Sequence, residues 1–91
     1  MKIFKDLKIG DTVFRIKRDN TVCIYEVDDI TIDHASKSIS YYLTGITCLD
    51  YTIDINDANE KILEQSILYD FFGNSYFVDE KEFLVKLNEI V

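Results

Sequence analysis

The side chains best suited to covalent chemistry in this sequence are Cys23 and Cys48, and His34 is the single histidine that could assist them. A cysteine or serine nucleophile needs a histidine beside it to accept its proton. His34 lies in a polar segment, residues 33–37, remote in sequence from both cysteines. We therefore expect no catalytic nucleophile. Two cysteines and one distant histidine do not form a zinc site either.

Carboxylates recur in pairs, and paired carboxylates can act as general acid and base when a pocket drives their pKa values apart. A chain of 91 residues has a thin core and little room for such a pocket. Residues 54–59 look like a calcium-binding loop, but the pattern fails at its fifth, sixth and twelfth positions, which are Ala58, Asn59 and Gln65. The carboxylates are expected at strand ends, in turns and at a helix cap, with no catalytic residue, metal or cofactor.

Charge is unevenly distributed along the chain, whose net charge is −7. Residues 1–18 hold six basic and two acidic side chains, a charge of +4, whereas residues 19–91 hold four lysines and fifteen acids, a charge of −11. The bulk of the molecule should repel nucleic acid and anionic membranes. The basic first strand leaves nucleic-acid binding as the alternative function, because small barrels bind single strands through a basic groove lined with aromatic rings.

Aromatic residues are abundant, with six Tyr and six Phe. Most should fill the core, but Tyr41-Tyr42 and Phe71-Phe72 are adjacent pairs. In an extended strand one member of each pair must face outward. The predicted partner-binding residues are these four aromatics and two neighbouring acids: Tyr41, Tyr42, Phe71, Phe72, Asp28 and Asp29.

The alternation of apolar and polar residues predicts a mainly-β (α+β) domain spanning residues 1–91. Strands are expected over 12–18, 22–32, 38–47 and 51–56, and a short extended piece over 62–66 should close the sheet. A turn at Gly73-Asn74 then precedes a short strand over 75–78. The apolar phase of the second strand changes near Asp28-Asp29, which predicts a β-bulge that bends the sheet.

A helix is predicted over residues 79–91. Asp79 fits the N-cap position, and Glu82 lies three residues later as its capping-box partner. Apolar residues then recur at helical spacing and form one stripe that should dock on the sheet. These residues are Phe83, Leu84, Leu87, Ile90 and Val91.

Two segments carry a resemblance to known proteins. Residues 7–13, Leu-Lys-Ile-Gly-Asp-Thr-Val, resemble the opening of small SH3-like β-barrels, in which such a segment leads into the first strand. Residues 63–69 and 76–83 are similar to the tail of many uncharacterised small bacterial and phage proteins. The resemblance implies an SH3-like, strongly bent antiparallel sheet of about five strands with one C-terminal helix. It implies no active residues, since such domains most often act as binding or accessory modules.

The expected function is a non-enzymatic protein-binding or accessory module of a phage or mobile element that uses an acidic surface with exposed aromatics. We expect a cytoplasmic protein, because the sequence contains no apolar run of membrane-spanning length and no signal-peptide pattern. In that setting Cys23 and Cys48 are expected to be buried free thiols. A monomer or a homodimer paired through an edge strand would both suit the sheet.

Overall fold

The chain forms a curled antiparallel sheet with a single α-helix. The computed structural model describes residues 1–90, and the side chains of all of these except residues 57–60. Within that part of the chain the strands are β1 Thr12–Ile16, β2 Val22–Asp33, β3 Ser38–Gly45, β4 Tyr51–Ile55, β5 Ile67–Tyr69 and β6 Ser75–Phe77. The helix, α1, is Glu80–Ile90, and two 3-10 helices cover Phe4–Asp6 and Asp57–Glu64.

The strands form one sheet in the order β4-β3-β2-β1-β6-β5, and every neighbouring pair is antiparallel. The predicted mainly-β, bent antiparallel architecture is confirmed. The sheet curls into a half-barrel, with β4 and β5 as its two edges. The 3-10 helices pack against each other beside this opening, and the Phe4 N–H donates to the Gln65 carbonyl at 2.8 Å.

The described sheet has six strands where about five were expected, and the segment after β4 differs from its prediction: the extended piece expected over 62–66 is absent, and residues 67–69, for which no strand was predicted, form β5. Residues 62–64 belong to a 3-10 helix, and the fifth strand begins only at Ile67. Ile62 and Leu63 are neighbours, and both pack against the same core. An extended strand would send them to opposite faces, so a helical turn buries more apolar surface.

The predicted β-bulge is confirmed. Val27 pairs with Leu43 and Asp29 pairs with Tyr42, which leaves Asp28 as the extra residue on β2. Because of the extra residue, the side chain of Ile30 lies on the inner face of the sheet and packs on the core. Because the bulge raises the local twist, it helps to curl the sheet around that core.

The two faces of the sheet carry separate apolar clusters. The inner face holds the larger one, which includes Val13, Tyr25, Tyr41 and Tyr76. The outer face holds a smaller cluster under α1, formed by Ile16, Phe77 and Phe83 with partly buried neighbours.

The predicted start of α1 is confirmed. The Asp79 carboxylate accepts a hydrogen bond from the Glu82 N–H at 3.4 Å. The Glu82 carboxylate does not complete the capping box, because it accepts from the Ser66 hydroxyl at 2.6 Å and ties the helix to the chain before β5. In the predicted apolar stripe, Leu84 is exposed, and Val91 lies outside the described residues.

Candidate functional site

Three connections lie at one end of the sheet: residues 17–21 between β1 and β2, 46–50 between β3 and β4, and 70–74 between β5 and β6. Because all the strands are antiparallel, each odd-to-even connection falls at this same end. We call this surface the turn end. The Arg18 N–H donates to the Asn74 side-chain carbonyl at 3.1 Å and links two of these connections, and the Ile46 N–H ties the third to β2 by donating to the Ile24 carbonyl at 2.8 Å.

Large apolar side chains stand out from the turn end. Phe71 is 98% exposed, Leu49 is 89% exposed and Phe72 is 73% exposed. Ile46 is also exposed. Single exposed apolar residues are ordinary on protein surfaces. Several on adjoining connections at one end of a small domain are typical of an interaction surface.

Asp70 fixes the turn that carries Phe71 and Phe72. Its carboxylate accepts hydrogen bonds from the backbone N–H groups of Phe72 and Asn74 at 2.8 and 2.9 Å. It also accepts from the Asn74 amide at 2.8 Å and from the Tyr76 hydroxyl at 3.0 Å. The turn is therefore preorganised, and it presents both rings to solvent in an edge-to-face pair with centroids 6.0 Å apart.

The same bonds govern the ionisation of Asp70. Burial disfavours its charged form, but the hydrogen bonds from Asn74, Tyr76 and Phe72 outweigh burial and lower the pKa of Asp70 below its ordinary value. The carboxylate is therefore ionised at neutral pH. Charge-assisted hydrogen bonds of this kind are stronger than neutral ones.

The other two acids of the turn end also hold their own connections. Asp19 accepts from the Thr21 N–H at 3.0 Å, and Asp50 accepts from the Gly45 N–H at 2.8 Å. Gly45 is required there, because a Cβ atom would collide with the carbonyl of Cys48. The cations Arg15, Lys17 and Arg18 offset these acids, so this end is close to neutral in a chain of net charge −7.

The structure separates the predicted partner-binding residues into three environments. The assignment of Tyr41 to an exposed patch was wrong: it is 2% exposed, and its hydroxyl donates to the Phe4 carbonyl at 3.0 Å. Tyr42 faces outward, as alternation in a strand requires. Phe71 and Phe72 are both exposed because they lie in a turn, where alternation does not apply.

Tyr42, Asp28 and Asp29 lie together around the β-bulge. Asp29 is the register partner of Tyr42, and Asp28 and Tyr42 line a shallow depression of about 420 Å³. In the order of the sheet, β2, β1 and β6 lie between β3, which carries Tyr42, and β5, which precedes Phe71.

Arg15 belongs to the basic first strand, and its side chain projects onto the inner face of the sheet. It shares the phase of Val13 and faces Tyr76 and Cys23 in register. Its guanidinium carbon lies 4.6 Å from the ring centroid of Tyr51 and 5.2 Å from that of Tyr76. The sequence contained an indication of this placement. Arg15 follows the apolar Val13 by two residues, so both side chains project from the same face of the strand.

Tyrosine hydroxyls accompany this cation. Arg15 Nη1 donates to the Tyr25 hydroxyl at 3.1 Å. Burial raises the pKa of both Tyr25 and Tyr76, so their hydroxyls stay protonated at neutral pH. The Tyr76 proton is donated to Asp70, whereas the Tyr25 hydroxyl accepts from Arg15 and keeps its own proton to donate. The group therefore offers the Tyr25 hydroxyl and one permanent positive charge.

The two cysteines lie beside Arg15 and Tyr25, and all four residues line one cavity. Both are free; Cys23 is buried, and Cys48 is only half-buried. Burial first, and then the neighbouring Cys48 thiol, raise the pKa of Cys23. A higher pKa leaves less of the reactive thiolate at neutral pH.

Cys48 should therefore be alkylated by iodoacetamide at pH 8 at least about tenfold faster than Cys23 in the folded protein. Peptide mass spectrometry over a time course measures both rates. In urea the difference should disappear, because both side chains are then solvated. Equal alkylation rates of the two cysteines in the folded protein would contradict the buried position of Cys23.

The remaining sequence candidates are dispersed. His34 lies in the turn between β2 and β3, at the opposite end of the sheet from the cysteines. Among the basic residues of the N-terminal segment, Lys2 pairs with Asp11 at 2.7 Å and Lys5 pairs with Glu64 at 2.9 Å.

Among the side chains that the structure describes, no group of His, Cys, Asp or Glu residues could hold a metal ion. In residues 1–90, no helix has the length and apolar character that crossing a membrane requires.

Neither a protein-family model, nor a curated protein, nor a solved structure matches the chain. The fold defines its class as a small mainly-β protein with a curled six-stranded antiparallel sheet and one C-terminal helix over the described residues.

Proposed function

We propose that the chain is a non-enzymatic protein-binding module whose contact surface is the turn end, with Phe71 and Phe72 at its centre. One observation carries the proposal: two exposed phenylalanines stand on a turn that hydrogen bonds to the Asp70 carboxylate hold together. Such a turn adds no catalytic group. It supplies apolar surface in a fixed position.

Preorganisation makes this surface effective for binding. Burying one Phe side chain in a partner contributes about 1.5–3 kcal/mol of hydrophobic free energy. A flexible loop would lose much of that contribution as ordering entropy, whereas a turn already fixed by hydrogen bonds loses little. Aromatic anchors near the centre of an interface commonly dominate its affinity.

The net charge of the chain favours a partner whose overall charge is basic or neutral. Residues 19–91 carry a charge of −11. Part of this negative charge lies on the outer face, in the acidic patch of Tyr42, Asp28 and Asp29. A phage or mobile-element accessory protein that occupies a basic nucleic-acid site on its target suits these properties. Its expected setting is the cytoplasm, or the host cytoplasm if the protein is phage-encoded.

The test is affinity capture from the source cells at physiological salt, with wild-type protein and two double variants. F71A/F72A should reduce the captured partner at least about tenfold, because two anchors are lost. I9A/I32A is the matched control: both residues are exposed and lie outside the turn end, so capture should be unchanged. Failure to capture any partner, or equal capture by F71A/F72A, would overturn the proposal.

Nucleic-acid binding is the second candidate, because Lys17 and Arg18 lie in the connection next to the exposed Phe71 and Phe72. Cations beside aromatic rings are the combination that single-strand binders use. This candidate predicts binding to single-stranded DNA or RNA that weakens steeply as salt is added. A flat titration at low salt would eliminate it.

A further inference from the structure

A cavity of about 580 Å³ opens at the turn end, between the β1–β2 and β3–β4 connections. Its lining combines two cations with several hydroxyl groups and one acid. The polar and charged residues of the lining include Arg15, Lys17, Thr21, Thr47, Tyr25 and Asp50. We call it the mouth cavity.

Arg15 lines this cavity without a counter-ion. No carboxylate of the described residues lies within ion-pair distance of its guanidinium. Its Nε atom is buried and has no hydrogen-bond partner in the described structure. A partly buried guanidinium normally pairs with a carboxylate, because desolvation of an unpaired charge is costly.

The tyrosine rings meet only part of this need. Arg15 lies 4.6 Å and 5.2 Å from the two ring centroids, which are themselves 5.8 Å apart. The rings and the Tyr25 hydroxyl hold the guanidinium in place, and neither supplies the negative charge that would balance it. Because Arg15 also lines the mouth cavity, an anion in the cavity would meet this cation.

The mouth cavity adds a second cation and neutral donors. Lys17 lines the cavity, and Thr47 and Tyr25 contribute hydroxyls. Asp50 is the one acid in the lining, and one of its oxygens already accepts from the Gly45 N–H. Cations outnumber acids here, in contrast to the rest of the chain.

We propose that the mouth cavity is a carboxylate-binding site that takes an acidic side chain or the C-terminal carboxylate of a peptide segment from the partner. This inference rests on the proposed function. The apolar side chains of the turn end would contact the same segment, with Arg15 forming the charged bond and Lys17 adding a second contact. A peptide with a carboxylate near an aromatic or aliphatic residue fits both features.

The test uses small probes and amide NMR spectra of the 15N-labelled chain. N-acetyl-phenylalanine carries a C-terminal carboxylate, and N-acetyl-aspartyl-phenylalanine amide carries a side-chain carboxylate. N-acetyl-phenylalanine amide is the matched neutral probe. Saturable shifts at Thr21 and Thr47 are expected with at least one carboxylate probe and not with the neutral one, and the stronger probe identifies the source of the carboxylate.

Variants separate this site from a general effect of charge. R15Q should weaken carboxylate binding more than about tenfold, and thermal melting verifies that it is folded. K17Q alters a residue of the lining, keeps the fold and should weaken binding about fivefold or less. K8Q is the control: Lys8 is an exposed lysine before β1, and binding should be unchanged.

Several results would overturn the inference: no saturable shift with either carboxylate, equal shifts with the neutral probe, or wild-type binding by both R15Q and K17Q. Binding of inorganic phosphate without any carboxylate would do the same. If F71A/F72A abolishes partner capture while the probes fail to bind, only this inference falls. If the probes bind and capture does not depend on Phe71 and Phe72, the cavity is a carboxylate site but the proposed contact surface is wrong.

Discussion

Replacing Phe83 with alanine is expected to lower the free energy of unfolding by about 3–5 kcal/mol. Phe83 is the buried residue of α1. Its ring stacks on Phe14 with centroids 4.3 Å apart and meets Phe77 edge-to-face at 5.9 Å. The variant would lose these contacts and leave a cavity between helix and sheet. An isolated helix of this length is marginal in water, so α1 depends on this docking.

Urea denaturation followed by circular dichroism measures the effect of F83A. Leu84 is the control, because it is the next residue of the same helix and is exposed. L84A should change the free energy of unfolding by about 0.5 kcal/mol or less. If F83A and L84A unfold at the same urea concentration, α1 does not dock through Phe83.

Replacing Asp70 with alanine is expected to cost about 2–3 kcal/mol. The buried Asn74 and Tyr76 would each lose the carboxylate that accepts their hydrogen bonds. Loss of the carboxylate also releases the turn that positions Phe71 and Phe72. We therefore expect D70A to reduce partner capture even at temperatures where the protein remains folded.

Denaturation with urea, together with the amide NMR shifts of Phe71 and Phe72, measures both consequences of D70A. D29N is a suitable control, because Asp29 is an exposed acid on the outer face. Its removal changes the net charge without affecting the β5–β6 turn. Equal stability of D70A and wild type would contradict the role given to Asp70.

The same carboxylate predicts how stability depends on pH. The pKa of Asp70 is lower in the folded chain than in the unfolded chain, so the unfolded state binds its proton first as the pH falls. The stabilisation is complete above the unfolded pKa of about 4 and is lost as the pH falls through the lower folded value. Urea midpoints of D70N should therefore fall less steeply than those of wild type below about pH 4. Parallel curves for the two proteins would contradict this prediction.

Local chemistry in the sequence was sufficient to predict much of the fold. Alternation identified β1 to β4, and the phase change at Asp28-Asp29 identified the bulge that curls the sheet. Asp79 marked the start of α1. These features depend on neighbours within a few residues, so the sequence records them directly.

Long-range packing decided the rest. Ile62 and Leu63 lie in a 3-10 helix, which lets both of them pack partly buried against the same core. Tyr41 and Tyr42 are identical in type, and only the register of β3 against β2 and β4 determines which one is buried.

The candidate site shows the same division. The sequence by itself identified Phe71 and Phe72 as an unusual apolar pair and Gly73-Asn74 as a turn. Only the tertiary structure brought that turn to the same end as residues 17–21 and 46–50, and only it placed Arg15 beside Tyr51 and Tyr76. The physical reason is that hydrogen bonding within a turn is local, whereas a surface assembled from three connections exists only after strands distant in sequence have paired.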